Sequence, residues 1–158
     1  MVSQFNSVPG ISLRRARSGD YAFALGLYLA SVKPLLTKLG RWDEERVTAS
    51  LRNGFKPATV RVICQNGTDI GWMQVSDTAT GLHLHQIHIV EGYRNRGCGT
   101  ALIKELQGRA RAKALPITLN VIHGNPALDL YLRLGFRVVG EDEDKLHMRW
   151  RGRRSVKG

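Results

Sequence analysis

Residues 82–90, LHLHQIHIV, read as a β-strand that changes face halfway along. Leu82 and Leu84 share one face of a two-residue period, with His83 and His85 opposite. After His85 the parity flips: Ile87 and Ile89 take the apolar positions, Gln86 and His88 the polar ones. One extra residue near His85 or Gln86 would return every apolar side chain to a single face, which is the sequence signature of a β-bulge. A bulge breaks the ladder and leaves backbone N–H and C=O groups free for a ligand. The alternative is a strand buried on both faces, where parity carries little meaning.

The segment that follows, Arg94-Asn95-Arg96-Gly97-Cys98-Gly99, lies between this strand and a helix expected over residues 100–112. Two glycines let the chain turn sharply and bring its N–H groups close to a ligand. The helix adds its own N-terminal N–H groups and the positive end of its dipole, a site suited to a pyrophosphate. Arg94 and Arg96 add charge at the rim. The lysine of a P-loop is absent, and so is the second half of a dinucleotide fingerprint. By itself a Gly-x-Gly with two arginines also fits a tight surface turn. The parity-breaking strand in front of it makes the pattern more specific.

The remaining elements follow from local period and punctuation. Residues 11–17 read as a strand and 20–32 as an apolar helix with Asp20 as its cap and Pro34 ending it or opening another. Residues 42–52 read as a second helix, with Asp43, Glu44 and Glu45 in a first turn that the dipole favours. Residues 59–65 and 69–77 form a hairpin across Asn66-Gly67, with Gly71 as a weak point. Residues 117–122 are a strand, 126–134 a short helix closed by Gly135, and 136–140 with 145–151 a last antiparallel pair. The order β-α-α-β-β-β-α-β-α-β-β predicts one α/β domain, a mixed sheet of about seven strands flanked by helices. Hairpins interrupt the βαβ rhythm, so a doubly wound nucleotide fold is excluded.

A chain of 158 residues, 42% hydrophobic and 23% charged, has the size and balance of one globular domain. No run of 18 apolar residues is present. MVSQFNSVPG lacks the basic flank and apolar core of a secretory leader. Cys64 and Cys98 make no disulfide framework, so a reducing, cytoplasmic setting is expected. The 24 lysines and arginines exceed the 13 acids by 11, so the chain should attract anions: nucleic acid, an acidic surface or a phosphate-rich small molecule. Residues 94–113 carry six basic residues against one acid, and residues 151–158 carry four against none.

Together these features resemble the GNAT superfamily of acyl-CoA-dependent N-acetyltransferases. Its motif, a strand, then Arg/Gln-x-x-Gly-x-Gly/Ala, then a helix, is present as IHIVEGYRNRGCGTALI over residues 87–103. A second signature is Asn125-Pro126-Ala127 followed by Tyr131 and Leu134-Gly135-Phe136. The element order over residues 11–150 matches as well, leaving a flexible N-terminus at 1–10 and a basic tail at 151–158.

The resemblance implies acetyl-CoA as co-substrate, held between the bulged strand 82–90 and a splayed parallel strand 117–122. Backbone at His88, Ile89 and Val90 would pair with the pantetheine arm. Arg94, Asn95, Arg96, Gly97, Cys98, Gly99 and Thr100 would hold the pyrophosphate, and Asn125 would touch the cofactor. Tyr131 would protonate the leaving thiolate, and the N–H of Ile89 or Val90 would face the developing oxyanion. The acceptor is implied to be a primary amine on a small molecule or peptide, and relatives are commonly homodimers.

Some relatives carry a glutamate base on the splayed strand. Asn120 stands there in this chain and cannot serve. His83, His85, His88 and His123 are the alternatives, His85 foremost because it flanks the bulge. A histidine of near-neutral pKa can take the amine's proton directly or through water. The acids at 43–45 and 141–144 would attract a cationic amine, or are ordinary helix-start and loop charges. No metal is expected, because the parity break disperses His83, His85 and His88. Direct transfer in a ternary complex is expected, since Cys98 lies in the phosphate turn and Cys64 has no activating partner. The contrasting class is a basic nucleic-acid-binding module without catalysis, using residues 109–113 and 149–157.

Overall fold

The computed structural model describes residues 8–152, so residues 1–7 of the expected flexible N-terminus and 153–158 of the expected basic tail lie outside it. The elements are β1 (Ile11–Arg15), α1 (Tyr21–Lys38), α2 (Glu44–Gly54), β2 (Val60–Gln65), β3 (Thr68–Thr78), β4 (Gly81–Ile89), α3 (Cys98–Ala112), β5 (Ile117–Ile122), α4 (Ala127–Arg133), β6 (Arg137–Glu141) and β7 (Lys145–Trp150). The strands form one seven-stranded mixed sheet in the order β1-β2-β3-β4-β5-β7-β6. Only β4 and β5 run parallel, joined by the right length of chain for a helical crossover through α3.

Both faces of the sheet are covered. Leu82, Leu84, Leu119, Val121 and Met148 pack against Leu102, Ile103 and Leu106 of α3 and Tyr131 of α4. Trp72 on the other face packs with Ala24 of α1 and Leu51 of α2, and Ile122 sits against Val32, Leu36 and Val47. This alternation is the period-2 pattern of each strand realised against two helical layers.

Two local expectations change. α1 continues through Pro34 to Lys38. Breaking a helix at proline is worth about 3 kcal/mol, but Val32 and Leu36 on either side of it are buried against Val47 of α2, and that packing outweighs the lost hydrogen bond. Asp20 makes no side-chain cap for α1. Its carboxylate instead accepts from the Arg14 guanidinium at 2.8 and 2.9 Å and from the Arg17 N–H at 2.7 Å, which holds it down to about 2.

Gly71 is required by close approach. A Cβ there would lie 2.3 Å from the carbonyl oxygen of His88 on the neighbouring strand. That contact also fixes which way the β4 backbone faces.

Candidate functional site

The β3–β4 ladder slips by one residue where the sequence changes parity. Gln74 pairs with Gln86 and Val75 with Leu84, so His85 is the residue without a partner. The β4–β5 ladder is short. It joins Leu82 to Ile117, His83 to Thr118 and Leu84 to Leu119, then stops, while β5 remains paired with β7 through Ile122. Beyond Leu84 and Leu119 the two parallel strands therefore leave a gap in the sheet, starting at the bulge.

Peptide planarity shows what β4 presents to that gap. The carbonyl of His88 faces β3, and the N–H of Val90 donates to Ile70 O at 2.8 Å, also toward β3. In a trans peptide C=O and N–H point oppositely, so both the N–H and the C=O of Ile89 point away from β3, toward the gap. Strand alternation gives Ile87 the same orientation. Of the three residues expected to offer backbone, Ile89 has its N–H directed at the gap, while its C=O accepts from Arg94 Nε at 2.8 Å. His88 and Val90 spend the groups named above on the sheet. Ile87, which the parity argument grouped with Ile89, shares its backbone orientation.

The turn after β4 leaves a row of backbone N–H groups at the start of α3. Asn95 has φ 61° and Gly97 φ 86°, two left-handed residues that reverse the chain ahead of α3. Gly97 is the N-cap and supplies no side-chain cap. Helical bonding begins with Ala101 N–H to Gly97 O at 3.0 Å, so the N–H groups of Cys98, Gly99 and Thr100 have no helical acceptor. Arg96 lies over the Tyr93 ring at 5.5 Å. Arg94 donates from Nε to Ile89 O at 2.8 Å and reaches Ser31 Oγ of α1 at 3.5 Å.

The histidines divide by environment. Trp72, Gln74 and Ser76 alternate onto the face covered by α1 and α2, where Gln74 Nε2 donates to Gly54 O at 2.8 Å. His85 Nε2 lies 2.8 Å from Ser76 Oγ on that face, and His83 Nδ1 lies 2.7 Å from Thr118 Oγ1. The two imidazoles meet edge to face at 4.6 Å. Burial lowers the pKa of both, helped at His83 by His85 and Lys145 and at His85 by Lys56. His88 is different. It is wedged between Trp72 and Tyr28, hydrogen-bonds Gln86 Oε1 at 2.7 Å, and burial pushes it down to about 4. It belongs to the packing of α1 on the sheet. His123 Nε2 lies 2.9 Å from the Asp142 carbonyl, so it braces the β6–β7 turn.

One polar side chain on this wall escaped sequence reasoning. His147 of β7 sits in register with Asn120 of β5; its Nδ1 meets Asn120 Oδ1 and its Nε2 lies 3.1 Å from Asp142 Oδ2. Only strand register brings these three together, so no local signal could have found them.

Tyr131 lies on the opposite face, 5% exposed, with its ring edge-on to Phe136 at 5.7 Å. Burial pushes its phenol up to about 12, and among the described residues the hydroxyl has no hydrogen-bond partner. Asn125 Oδ1 accepts the Ala127 N–H at 2.9 Å and so starts α4, the helix that carries Tyr131. Both cysteines are free and buried, and burial raises both thiols, that of Cys64 further through Asp69.

The acids are mostly engaged. Asp43 Oδ1 caps α2 through the Arg46 N–H at 3.1 Å. Arg41, which follows α1, pairs with Asp144 at 2.8 Å and Glu143 at 3.3 Å, tying the α1–α2 connection to the β6–β7 turn. Among the described residues no group of three or more His, Cys, Asp or Glu is placed to hold a metal ion, and no helix is long and apolar enough to cross a membrane.

Comparison with known proteins places this geometry. Residues 56–138 match a family model described as an acetyltransferase (GNAT) domain. A comparison with curated proteins returned no match. Among solved structures, the PaiA N-acetyltransferase of Thermoplasma acidophilum in complex with coenzyme A aligns with TM-score 0.71 at 18% identity, over 90% of this chain and 99% of that one. Apo YjaB from Escherichia coli aligns with TM-score 0.70 at 22% identity, again over 90% and 99%. The ribosomal-protein-S18-alanine N-acetyltransferase of Escherichia coli aligns with TM-score 0.68 at 16% identity, over 93% and 97%.

Proposed function

The chain belongs to the GNAT acetyltransferase family, and from that premise we propose that it moves an acetyl group from acetyl-CoA directly to a primary amine while both are bound. The observation that carries this reading is the gap beyond Leu84 and Leu119, the one interruption in the central β4–β5 ladder, lying between the His85 face and the Tyr131 face. A sheet otherwise keeps reagents on its two faces apart.

The residues present suit the co-substrate, which supplies an activated thioester. The unpaired N–H groups at 98–100, the positive end of α3 and the arginines at 94 and 96 hold the pyrophosphate, with Asn95 shaping the turn. Backbone at Ile87 receives the pantetheine amides, and Asn125 keeps Nδ2 free for the same ligand while Oδ1 starts α4.

Three groups then act on the reacting atoms. His85, held by Ser76 and kept neutral by its lowered pKa, accepts the amine's proton directly or through water. The Ile89 N–H meets the negative charge that grows on the acyl oxygen. Tyr131, a phenol protonated at every working pH, donates to the departing thiolate. The raised thiols of Cys64 and Cys98 disfavour a covalent acetyl-cysteine route. A binding module without catalysis would leave both the gap and the bulge without a purpose.

The acceptor is a primary amine of a small molecule or peptide, entering from the α1–α2 side past His83, Asn120 and His147. Calorimetry with acetyl-CoA, followed by free-thiol detection across a panel of amines, tests the reading. We expect one-to-one binding and thiol release with cationic amines. No binding at millimolar acetyl-CoA would refute it, and activity confined to anionic acceptors would remove the acidic entrance.

A further inference from the structure

At the opposite end of β5 from the gap, the β6–β7 hairpin and the C-terminal end of α3 enclose an open cleft of about 840 Å³. Arg111, Arg137, Arg149 and Arg151 line it, together with Leu132 and Val139, and among the described residues no acid does. We propose that this cleft is a second binding surface, separate from the acetyl-transfer site, that holds the phosphate backbone of a single nucleic-acid strand.

The arrangement of the arginines supports it. Arg137 and Arg149 are direct cross-strand partners, and like charges directly opposite destabilise a sheet. Among the described residues none of the four forms an ion pair, whereas Arg14 and Arg41 elsewhere in the chain each take two carboxylates. A bound anion between the guanidinium groups would relieve their repulsion. Arg111 is also pre-positioned. It lies over the Trp150 ring at 5.2 Å, and a Cβ at Gly152 would fall 3.1 Å from its Cγ. A planar guanidinium fork held in this way fits two phosphate oxygens at once.

The charge pattern selects the occupant. The hairpin is segregated, with arginines at its open end and the acids of 141–144 at its turn, where Glu143 and Asp144 pair with Arg41 and Asp142 lies against His147. Four arginines without a carboxylate partner among the described residues suit a repeating polyanion, whose affinity comes from counterion release. A second copy of this chain would bring arginine against arginine. Leu132 and Val139, 47% and 63% exposed, give sugar edges an apolar floor.

The test uses the full chain with fluorescein-labelled oligouridine and, as an acidic-peptide probe, labelled polyglutamate. Fluorescence anisotropy is read between about 50 and 200 mM salt. We expect oligouridine to bind with a log–log salt slope of about −3, as four phosphate contacts on a single strand require. Oligothymidine should bind alike, because the backbone is what is held. Saturating acetyl-CoA should not displace either. The double change Arg137→Gln with Arg149→Gln should reduce the slope by about 1.4 and the affinity about tenfold or more, with acetyl-CoA binding unchanged and the unfolding midpoint not lowered, since the cross-strand repulsion is removed. Lys38→Gln with Arg52→Gln removes the same charge from α1 and α2 and should leave affinity within about twofold. Absence of salt-dependent binding, an equal loss in the α1–α2 control, displacement by acetyl-CoA, or tighter binding of polyglutamate would each overturn the proposal. Because the readout is binding, failure of the acetyl-transfer reading leaves this test intact.

Discussion

The Nε of Arg94 donates to the carbonyl oxygen of Ile89 at 2.8 Å. The side chain that opens the phosphate turn thus clamps the end of the bulged strand, and the turn and the gap form one unit. It also means that part of the Arg94 guanidinium serves the scaffold, so on the proposed reading backbone groups would carry most of the phosphate binding.

That division is testable at Gly97 and Arg96. The φ of 86° at Gly97 costs an L-residue about 1–2 kcal/mol. Among the described residues a Cβ there would meet only Val8 Cγ2 at 3.7 Å, so the penalty is conformational. Gly97→Val should raise the acetyl-CoA Kd about tenfold or more, whereas Arg96→Ala should cost only a few-fold. Calorimetry on both variants decides, and equal losses would mean that charge, not backbone, holds the ligand.

Tyr131→Phe keeps the ring against Phe136 and removes a hydroxyl that has no partner among the described residues. Stability should hardly change. If the phenol meets the leaving thiolate, kcat should fall about a hundredfold with acetyl-CoA affinity near normal. An unchanged kcat across the pH range would take Tyr131 out of the chemistry.

His85 titrates below its usual 6.5 through burial and Lys56, so the acid limb of kcat/KM should lie below pH 6.5. His85→Gln should lower kcat/KM about a hundredfold at pH 7 and abolish that limb. A variant profile parallel to the wild type would shift attention to His147 and its Asp142 partner.

His88 makes a stability prediction with a definite sign. Its folded pKa is pushed down to about 4, against 6.5 unperturbed. Between those values the unfolded chain binds the extra proton, so stability is full above about pH 6.5 and is lost as pH falls toward 4. The shift corresponds to about 3 kcal/mol. Unfolding midpoints measured over this range should fall less steeply in His88→Phe, which keeps a ring between Trp72 and Tyr28. An equally steep fall would assign the acid sensitivity elsewhere.

Much of the fold was legible because its signals are local. The parity break at His85 became the register slip in the ladder, and Asn66-Gly67 became the hairpin turn between β2 and β3. Both are properties of consecutive residues, and backbone sterics read them the same way in any context. Pro34 and Asp20 failed for the opposite reason: the packing of Val32 and Leu36 on α2, and the Arg14 guanidinium, were stronger than the local preference.

The site divides along the same line. Sequence alone determined that a sharp glycine turn opening a helix follows a bulged strand, since glycine placement and strand period are written in adjacent residues. Tertiary structure alone decided which groups face the gap, because Ile87 and Ile89 turn outward only once Gly71 and Ile70 fix the register of β4. It likewise joined Asn120 to His147 across β5 and β7 and gathered four arginines from α3, β6, β7 and the residue after β7 into one cleft. Those contacts depend on strand order and crossover, which are set by the burial of two sheet faces as a whole and have no counterpart in any short window of the chain.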